Sequence, residues 1–503
     1  MKGGSASWRV NSGSPYLKLL YDLAAVPRQQ VITSIRMTSF RKANFLLLYI
    51  LGLSVIGLKV QAQADTCACG LSQLLDRVNT RSAFLTPDSA AVLIKLAQQN
   101  ATRYNRLPEF KLNAQADLGT NNNLPGGYFS YGIVPGNSRV RNEGNSSTIL
   151  TDLAIASVNW TIYDFGENNA RQQVAASDVQ VEQSKFNQSK YQLQALAIDN
   201  YLQWQRTEEL LSIQLLHIQR NKEIQQSVLV LAKSGIKAGV DTSIAEAEIS
   251  RLRLNYVELK GQREQYKLML SAIADLPIQQ LQADTNFINH LIAHNQTLPR
   301  ITDSAMADHP LLNYYHSLYQ NSLDKERLVK KSYLPIVSLQ GAVWGRGSSV
   351  SSRDEFRSLS KGIGLERGNY LVGFGITYDL FDLKRKQVQL KTQEAATDYA
   401  QKQLQRQQML LNLSESKVDA QLVTALERLQ EIPHQLSAAQ AAYRQQLSLY
   451  KNGLTTILEL NTALGVLYRA ETDFIKAKYM YCQSLFEKAI TGNQVPALLQ
   501  FTN

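Results

Sequence analysis

His290 and His294 stand four residues apart, a spacing that sets two imidazoles on one face of a helix and can hold a metal ion. No glutamate lies between them, and His217, His309, His316 and His434 are scattered. The pair therefore reads as two polar residues in a connector. Cys67 and Cys69 form a C-x-C pair without further cysteine or histidine ligands, and Cys482 is far from both. The chain has no nucleophile elbow, no phosphate-binding glycine loop and no Cys/His cluster. These residues imply no enzyme, no cofactor and no metal site.

Charge excludes a second class. The net charge is +11, but residues 1–64 hold eight basic residues against the single acid Asp22. A nucleic-acid binder keeps its basic face in the folded part, so no nucleic-acid partner is expected.

The basic segment has the layout of a secretory signal. Arg41 and Lys42 precede the apolar run Phe45–Leu58, and Ala62-Gln63-Ala64 is an A-x-A cleavage site. Fourteen residues make about 21 Å of helix, short of the roughly 30 Å hydrocarbon core, which argues against a membrane anchor. Residues 37–64 are read as a signal peptide and residues 1–36 as an extension from a misassigned start. The mature chain would begin at Asp65. Lipidation of Cys67 or Cys69 is the alternative, although Asp65-Thr66 makes a poor lipobox.

Four short segments alternate with period two, as strands do. Phe110, Leu112, Ala114, Ala116 and Leu118 oppose Lys111, Asn113, Gln115 and Asp117. Ala154, Ala156, Val158, Trp160 and Ile162 oppose Ser157, Asn159 and Thr161. Val337, Leu339 and Val343 oppose Ser338 and Gln340. Tyr370, Val372, Phe374, Ile376 and Tyr378 oppose Gly373, Gly375 and Thr377. One such strand would suit the edge of a soluble sandwich. Four behind a signal peptide suit a membrane barrel, with Val372, Phe374 and Ile376 facing lipid. The strands form two hairpins whose long connectors, 119–148 and 345–369, are rich in Gly, Asn and Ser and are expected to be exposed and mobile.

The elements occur twice. Leu107-Pro108 and Leu334-Pro335 each end a helix and open a strand. "YDFG" at Tyr163–Gly166 matches "FDLK" at Phe381–Lys384 with an offset of 218. "KAGVDT" at Lys237–Thr242 matches "KNGLTT" at Lys451–Thr456 with an offset of 214. Such landmarks indicate a duplication. The first repeat is assigned to 65–300, with strands at about 108–118 and 153–163, a long helix at about 166–236, a return helix at about 240–275 and a connector at 276–300. The second is assigned to 301–490, with strands at about 335–344 and 370–379, a long helix at about 384–451 and a return helix at about 455–490; 491–503 is a tail.

Gly239 and Gly453 are expected at the helix–helix turns in the left-handed C-cap conformation, with Asp241 and Thr455 or Thr456 capping the return helices. Ile249, Leu252, Tyr256, Leu259, Tyr266, Leu270 and Ile273 form one heptad stripe. Ile457, Leu460, Leu464, Leu467, Phe474, Tyr481 and Leu485 form another. Trp204, Leu211, Leu215 and Ile218 mark the outgoing helix. An outgoing helix of roughly 70 residues measures about 100 Å.

Four strands cannot close a barrel, and an open sheet edge cannot face lipid, so copies must assemble. The fold class is an α+β membrane protein of tandem strand–strand–long-helix repeats. At this point the chain resembles the TolC-type outer-membrane efflux proteins over about residues 71–490, through the tandem repeat, Trp160–Gly166 and the two glycine turns. The resemblance implies a homotrimer with a 12-stranded β-barrel in outer-membrane lipid, continued by a coiled-coil tunnel into the periplasm. It implies a periplasmic adaptor and an inner-membrane pump as partners. It maps adaptor docking onto Gly239, Val240, Gly453 and Leu454, and the pore entrance onto Glu459 and Thr462, of which only the first is acidic. The rival reading, a soluble periplasmic coiled-coil scaffold or adaptor, explains the helices but not the strands.

Overall fold

A computed structural model of the chain describes residues 70–120, 143–235, 238–281, 283–293 and 308–500. These lie within one unit, Asp65–Asn503. The expected signal segment, Cys67, Cys69, His294, the His290 side chain and most of the first strand connector lie outside the described residues.

In the first copy, α1 (Leu71–Arg81) is followed by α2 (Thr86–Tyr104) and β1 (Glu109–Gly119). β2 (Ile149–Tyr163) runs into α3 (Glu167–Lys233), and α4 (Val240–Ala274) returns. α5 (Thr285–Ala293) lies in the connector. The second copy has α6 (Pro310–Lys331), β3 (Ile336–Ser348), β4 (Arg367–Thr377), α7 (Asp382–Lys451) and α8 (Ile457–Thr491), followed by α9 (Val495–Gln500). Local chemistry sets the ends. α6 opens with Pro310 after His309, whose Nδ1 accepts the Leu311 N–H at 3.2 Å. No described helix is long and apolar enough to cross a membrane.

The strands make one antiparallel sheet in the order β1-β2-β3-β4. Trp160 lies opposite Leu339, and Leu339 opposite Phe374, so the apolar positions share a face. Thr161, Ser338 and Gly375 share the other. Phe110, Leu112, Val343, Val372, Phe374 and Ile376 are each more than 60% exposed, so no other described element covers that face.

The sheet extends beyond the alternating stretches. Thr151 to Ala154 pair with Ser348 to Gly345 through main-chain bonds that need no apolar pattern. The second connector, expected to be exposed, is in part packed against the sheet. Ser349 is 1% exposed; its N–H donates to the Leu150 carbonyl at 2.9 Å, and its hydroxyl accepts the Leu150 N–H at 3.0 Å. Gly364 N–H donates to Asp152 Oδ2 at 2.9 Å. Gly347 makes this possible, because a Cβ there would come within 2.0 Å of the Gly364 carbonyl oxygen.

Next to the sheet, α2, α3, α6 and α7 pack side by side in the order of the strands they join. Farther along, α3 pairs with α4, α7 pairs with α8, and α8 packs on α3 to tie the copies together. Except for Tyr450 at its end, the buried residues on α7 (Thr397, Leu411, Val418, Ala425, Ile432, Ala439) recur in multiples of seven, the period of a left-handed coiled coil. The largest core gathers α1, α3, α4, α5, α8 and α9 around Tyr201, Trp204, Phe287 and Phe486. The segment expected to be a tail contributes Val495 and Leu498 to this core.

Candidate functional site

The second tip is built by main-chain bonding. α7 ends at Lys451, and Gly453 takes φ +73°. Gly453 N–H donates to the Tyr450 carbonyl at 3.0 Å and Leu454 N–H to the Leu449 carbonyl at 2.9 Å. This paired arrangement satisfies the last carbonyls of a helix and requires the left-handed backbone that glycine adopts freely. Leu454 and Leu458 stand outward, 73% and 70% exposed.

The first tip departs from the expected match. Gly239 has φ −60°, an ordinary right-handed value, whereas Gly235 takes φ +72°. α3 ends at Lys233, so Gly235 plays the part of Gly453 and Gly239 caps the start of α4. The equivalent stretches are Lys233-Ser234-Gly235 and Lys451-Asn452-Gly453. Asp241 makes no cap, because α4 has no side-chain cap bond. Val240 is 61% exposed. Ile224 and Val228 of α3 share a small core with Tyr450, Ile457 and Leu460, which holds the two helix pairs together near the tips.

Glu459 stands in the first turn of α8. With Thr456 it forms a capping box: its carboxylate accepts the Thr456 N–H at 2.9 Å, and Thr456 Oγ1 accepts the Glu459 N–H at 3.3 Å. Hydrogen bonds from the Thr455 hydroxyl first, then from Thr456, hold the Glu459 pKa below the usual carboxylate value. α8 begins at Ile457 and not at about 455 as expected, so Thr456 is its capping residue. Thr462 is exposed and donates its hydroxyl to the Leu458 carbonyl at 2.8 Å. Thr456→Ala is expected to lower the stability of the α7–α8 tip by about 1 kcal/mol. Hydrogen exchange of amides 457–460 would register it, while Glu459→Gln should leave them protected.

Between the copies, α3 and α8 bury polar groups that apolar periodicity did not single out. Leu215, placed on the inner stripe by that periodicity, is 51% exposed, and Gln214 occupies the inward position at 0%. His217 Nε2 lies 2.7 Å from Glu471 Oε2, and Arg220 Nη1 donates to both Glu471 oxygens at 2.9 and 3.0 Å. Gln214 bridges the Tyr468 hydroxyl at 2.8 Å and the Leu252 carbonyl at 2.7 Å. One heptad on, Lys478 donates to both oxygens of Glu209 at 3.1 Å. Cys482 lies one turn beyond, its thiol pushed up to about 12 by burial and so inert.

Burial alone would raise the pKa of Glu471. The hydrogen bond to His217 and the charge of Arg220 outweigh it, and the carboxyl sits below its ordinary 4.5. The stabilisation is therefore complete above about pH 4.5 and is lost as pH falls through the folded value. Glu471→Ala strands two partners and is expected to cost about 3 kcal/mol, read as the shift of the denaturation midpoint of helical circular dichroism.

Comparison with known proteins gives the class. The family model of outer membrane efflux proteins matches residues 89–274 and 303–487. The chain belongs to the outer membrane efflux protein family. Its fold is that of outer-membrane channels. It matches the outer-membrane channel OprN with a TM-score of 0.67 at 19% identity, over 84% of this chain and 90% of that one. It matches the Campylobacter jejuni CmeC outer membrane channel with a TM-score of 0.66 at 14% identity, over 86% and 89%. It matches the open state of the Neisseria gonorrhoeae MtrE outer membrane channel with a TM-score of 0.64 at 18% identity, over 84% and 88%. No curated protein sequence matches the chain.

Proposed function

We propose that the protein is the exit duct of a tripartite efflux or secretion system, a passive homotrimeric channel that crosses the outer membrane and continues into the periplasm. The observation that carries this reading is the four-stranded sheet, which ends at β1 and β4 and exposes one apolar face, joined to four helices in the same order. In lipid both edges require partners. Three copies would supply twelve strands, enough for a closed barrel, and their helices would continue it as a tunnel. Val372, Phe374 and Ile376 then face lipid. The tips at Gly239 and Val240 and at Gly453 and Leu454 meet a periplasmic adaptor docked on an inner-membrane pump.

Glu459 becomes a ring of three carboxylates at the pore entrance, with the neutral Thr462 beyond it. Its lowered pKa favours the ionised form, and such a ring favours cations. Membrane fractionation and planar-bilayer recording test the proposal together. The duct should sediment with the outer membrane as a heat-modifiable trimer, and Glu459→Gln should weaken cation preference while sparing assembly. Recovery as a soluble periplasmic protein would favour a coiled-coil scaffold instead.

A further inference from the structure

The two strand-to-helix corners form an internal control, because the duplication made them from one ancestor. The first obeys the rules of helix starts. Asp164 accepts the N–H groups of Gly166 at 3.0 Å and Asn168 at 2.8 Å. Gly166 sits at the cap with φ +92°, and the acidic Glu167 opens α3. The second corner breaks those rules. Its cap residue is Phe381, which makes no side-chain cap bond. Lys384, Arg385 and Lys386 then crowd the positive end of the α7 dipole, with Asp382 as the acid of the first turn.

The ring is not covered inside the chain, and the cations are only partly engaged there. Phe381 is 93% exposed and its neighbour Leu380 66%. Arg385 pairs with Asp382 at 2.8 Å. Lys386 lies 6.0 Å from the centre of the Tyr333 ring, which belongs to the segment between α6 and β3. That contact brings the end of α6, with exposed Lys331, to the same corner. Lys384 and Lys331 make no ion pair among the described residues. The corner follows directly on the sheet: β4 ends at Thr377, and beyond the exposed Phe374 and Ile376 come the exposed Tyr378 and Leu380. An apolar stripe ending in an aromatic and then in a cluster of lysines is the order of groups met on leaving a bilayer for an anionic headgroup layer.

We propose that this corner binds anionic phospholipid headgroups of the periplasmic leaflet. Phe381 and Leu380 seat in the acyl boundary, and Lys331, Lys384 and Lys386 meet the phosphates. The proposal rests on the membrane reading above. The first corner also exposes Tyr163 and Phe165, but it opens its helix with Glu167 where the second has a run of basic residues, so it takes no part.

The test uses full-length trimer in mixed micelles of phosphatidylglycerol and phosphatidylcholine, with retained lipids counted by native mass spectrometry. The wild type should retain phosphatidylglycerol in several-fold excess. The triple variant K331Q/K384Q/K386Q should lose that preference by about tenfold or more. Phe381→Ser should reduce retention of both lipids. Helical circular dichroism confirms that the variants fold. An unchanged preference in the triple variant overturns the proposal. So does dissociation of the variants into monomers with lipid retention per chain intact, because the corner would then be a contact between copies. Reconstitution into vesicles separates the two levels: a wild type that inserts but shows no lipid preference sinks this proposal alone, and one that fails to insert sinks the membrane reading with it.

Discussion

Gly453→Trp is expected to abolish export while leaving a folded trimer in the membrane. The glycine has φ +73°, and a residue with a Cβ pays about 1–2 kcal/mol to hold that backbone. A Cβ there would meet nothing within 4 Å, so the cost is conformational and too small to unfold helices of 70 and 35 residues. The indole would instead project from the tip where the adaptor is proposed to dock. The measurement is substrate resistance in cells whose only duct is the variant, paired with crosslinking for trimer and for adaptor. Gly239→Ala is the control. At φ −60° with nothing within 4 Å of its Cβ, it should leave the fold unchanged, which isolates the backbone cost at Gly453. Export that survives Gly453→Trp would remove this tip from the docking surface.

Phe374→Arg is expected to prevent assembly. Phe374 is 76% exposed and lies opposite Leu339 on the apolar face, inside β4. An arginine near the bilayer midplane costs about 2–4 kcal/mol on a lipid face, and a trimer meets that cost three times. Thr377→Arg, at the last position of β4 and on the opposite face, should be tolerated. The readout is the yield of heat-modifiable trimer in outer-membrane fractions. The reverse ranking, with loss from Thr377→Arg and tolerance of Phe374→Arg, would mean that the faces are exchanged, the outcome of a one-residue error in register.

The strands were legible because alternation of Phe110, Leu112 and Val158 with Lys111 and Ser157 is a direct image of a two-faced sheet. The heptad residues Leu252, Leu460 and Leu467 were legible for the same reason with another period, and all are buried. Periodicity of apolar residues could not find Gln214, Glu471 or Lys478, since these polar groups occupy inward positions by pairing with one another. The exchange of Gly235 for Gly239 had a different cause. "KAGVDT" and "KNGLTT" are similarly spelled, but handedness is decided by where the preceding helix stops, four residues earlier in the first copy. The capping box was present in the sequence as Thr456-x-x-Glu459, and it would have placed the carboxylate in the first turn.

The middle pair of the sheet joins residues that are remote in the chain. Thr161 lies opposite Ser338, with roughly 180 residues between them, whereas the helix hairpins close over a few residues at each tip. Loop-closure entropy delays remote pairings until neighbouring structure has shortened the search. The α3–α4 and α7–α8 hairpins are therefore expected to form early, and the β2–β3 ladder after α8 has packed on α3. The expected order runs from the helical tips towards the sheet. The apolar strand face is then expected to be assembled last, and on the proposed membrane reading the segments with the highest aggregation risk would stay unpaired longest before insertion.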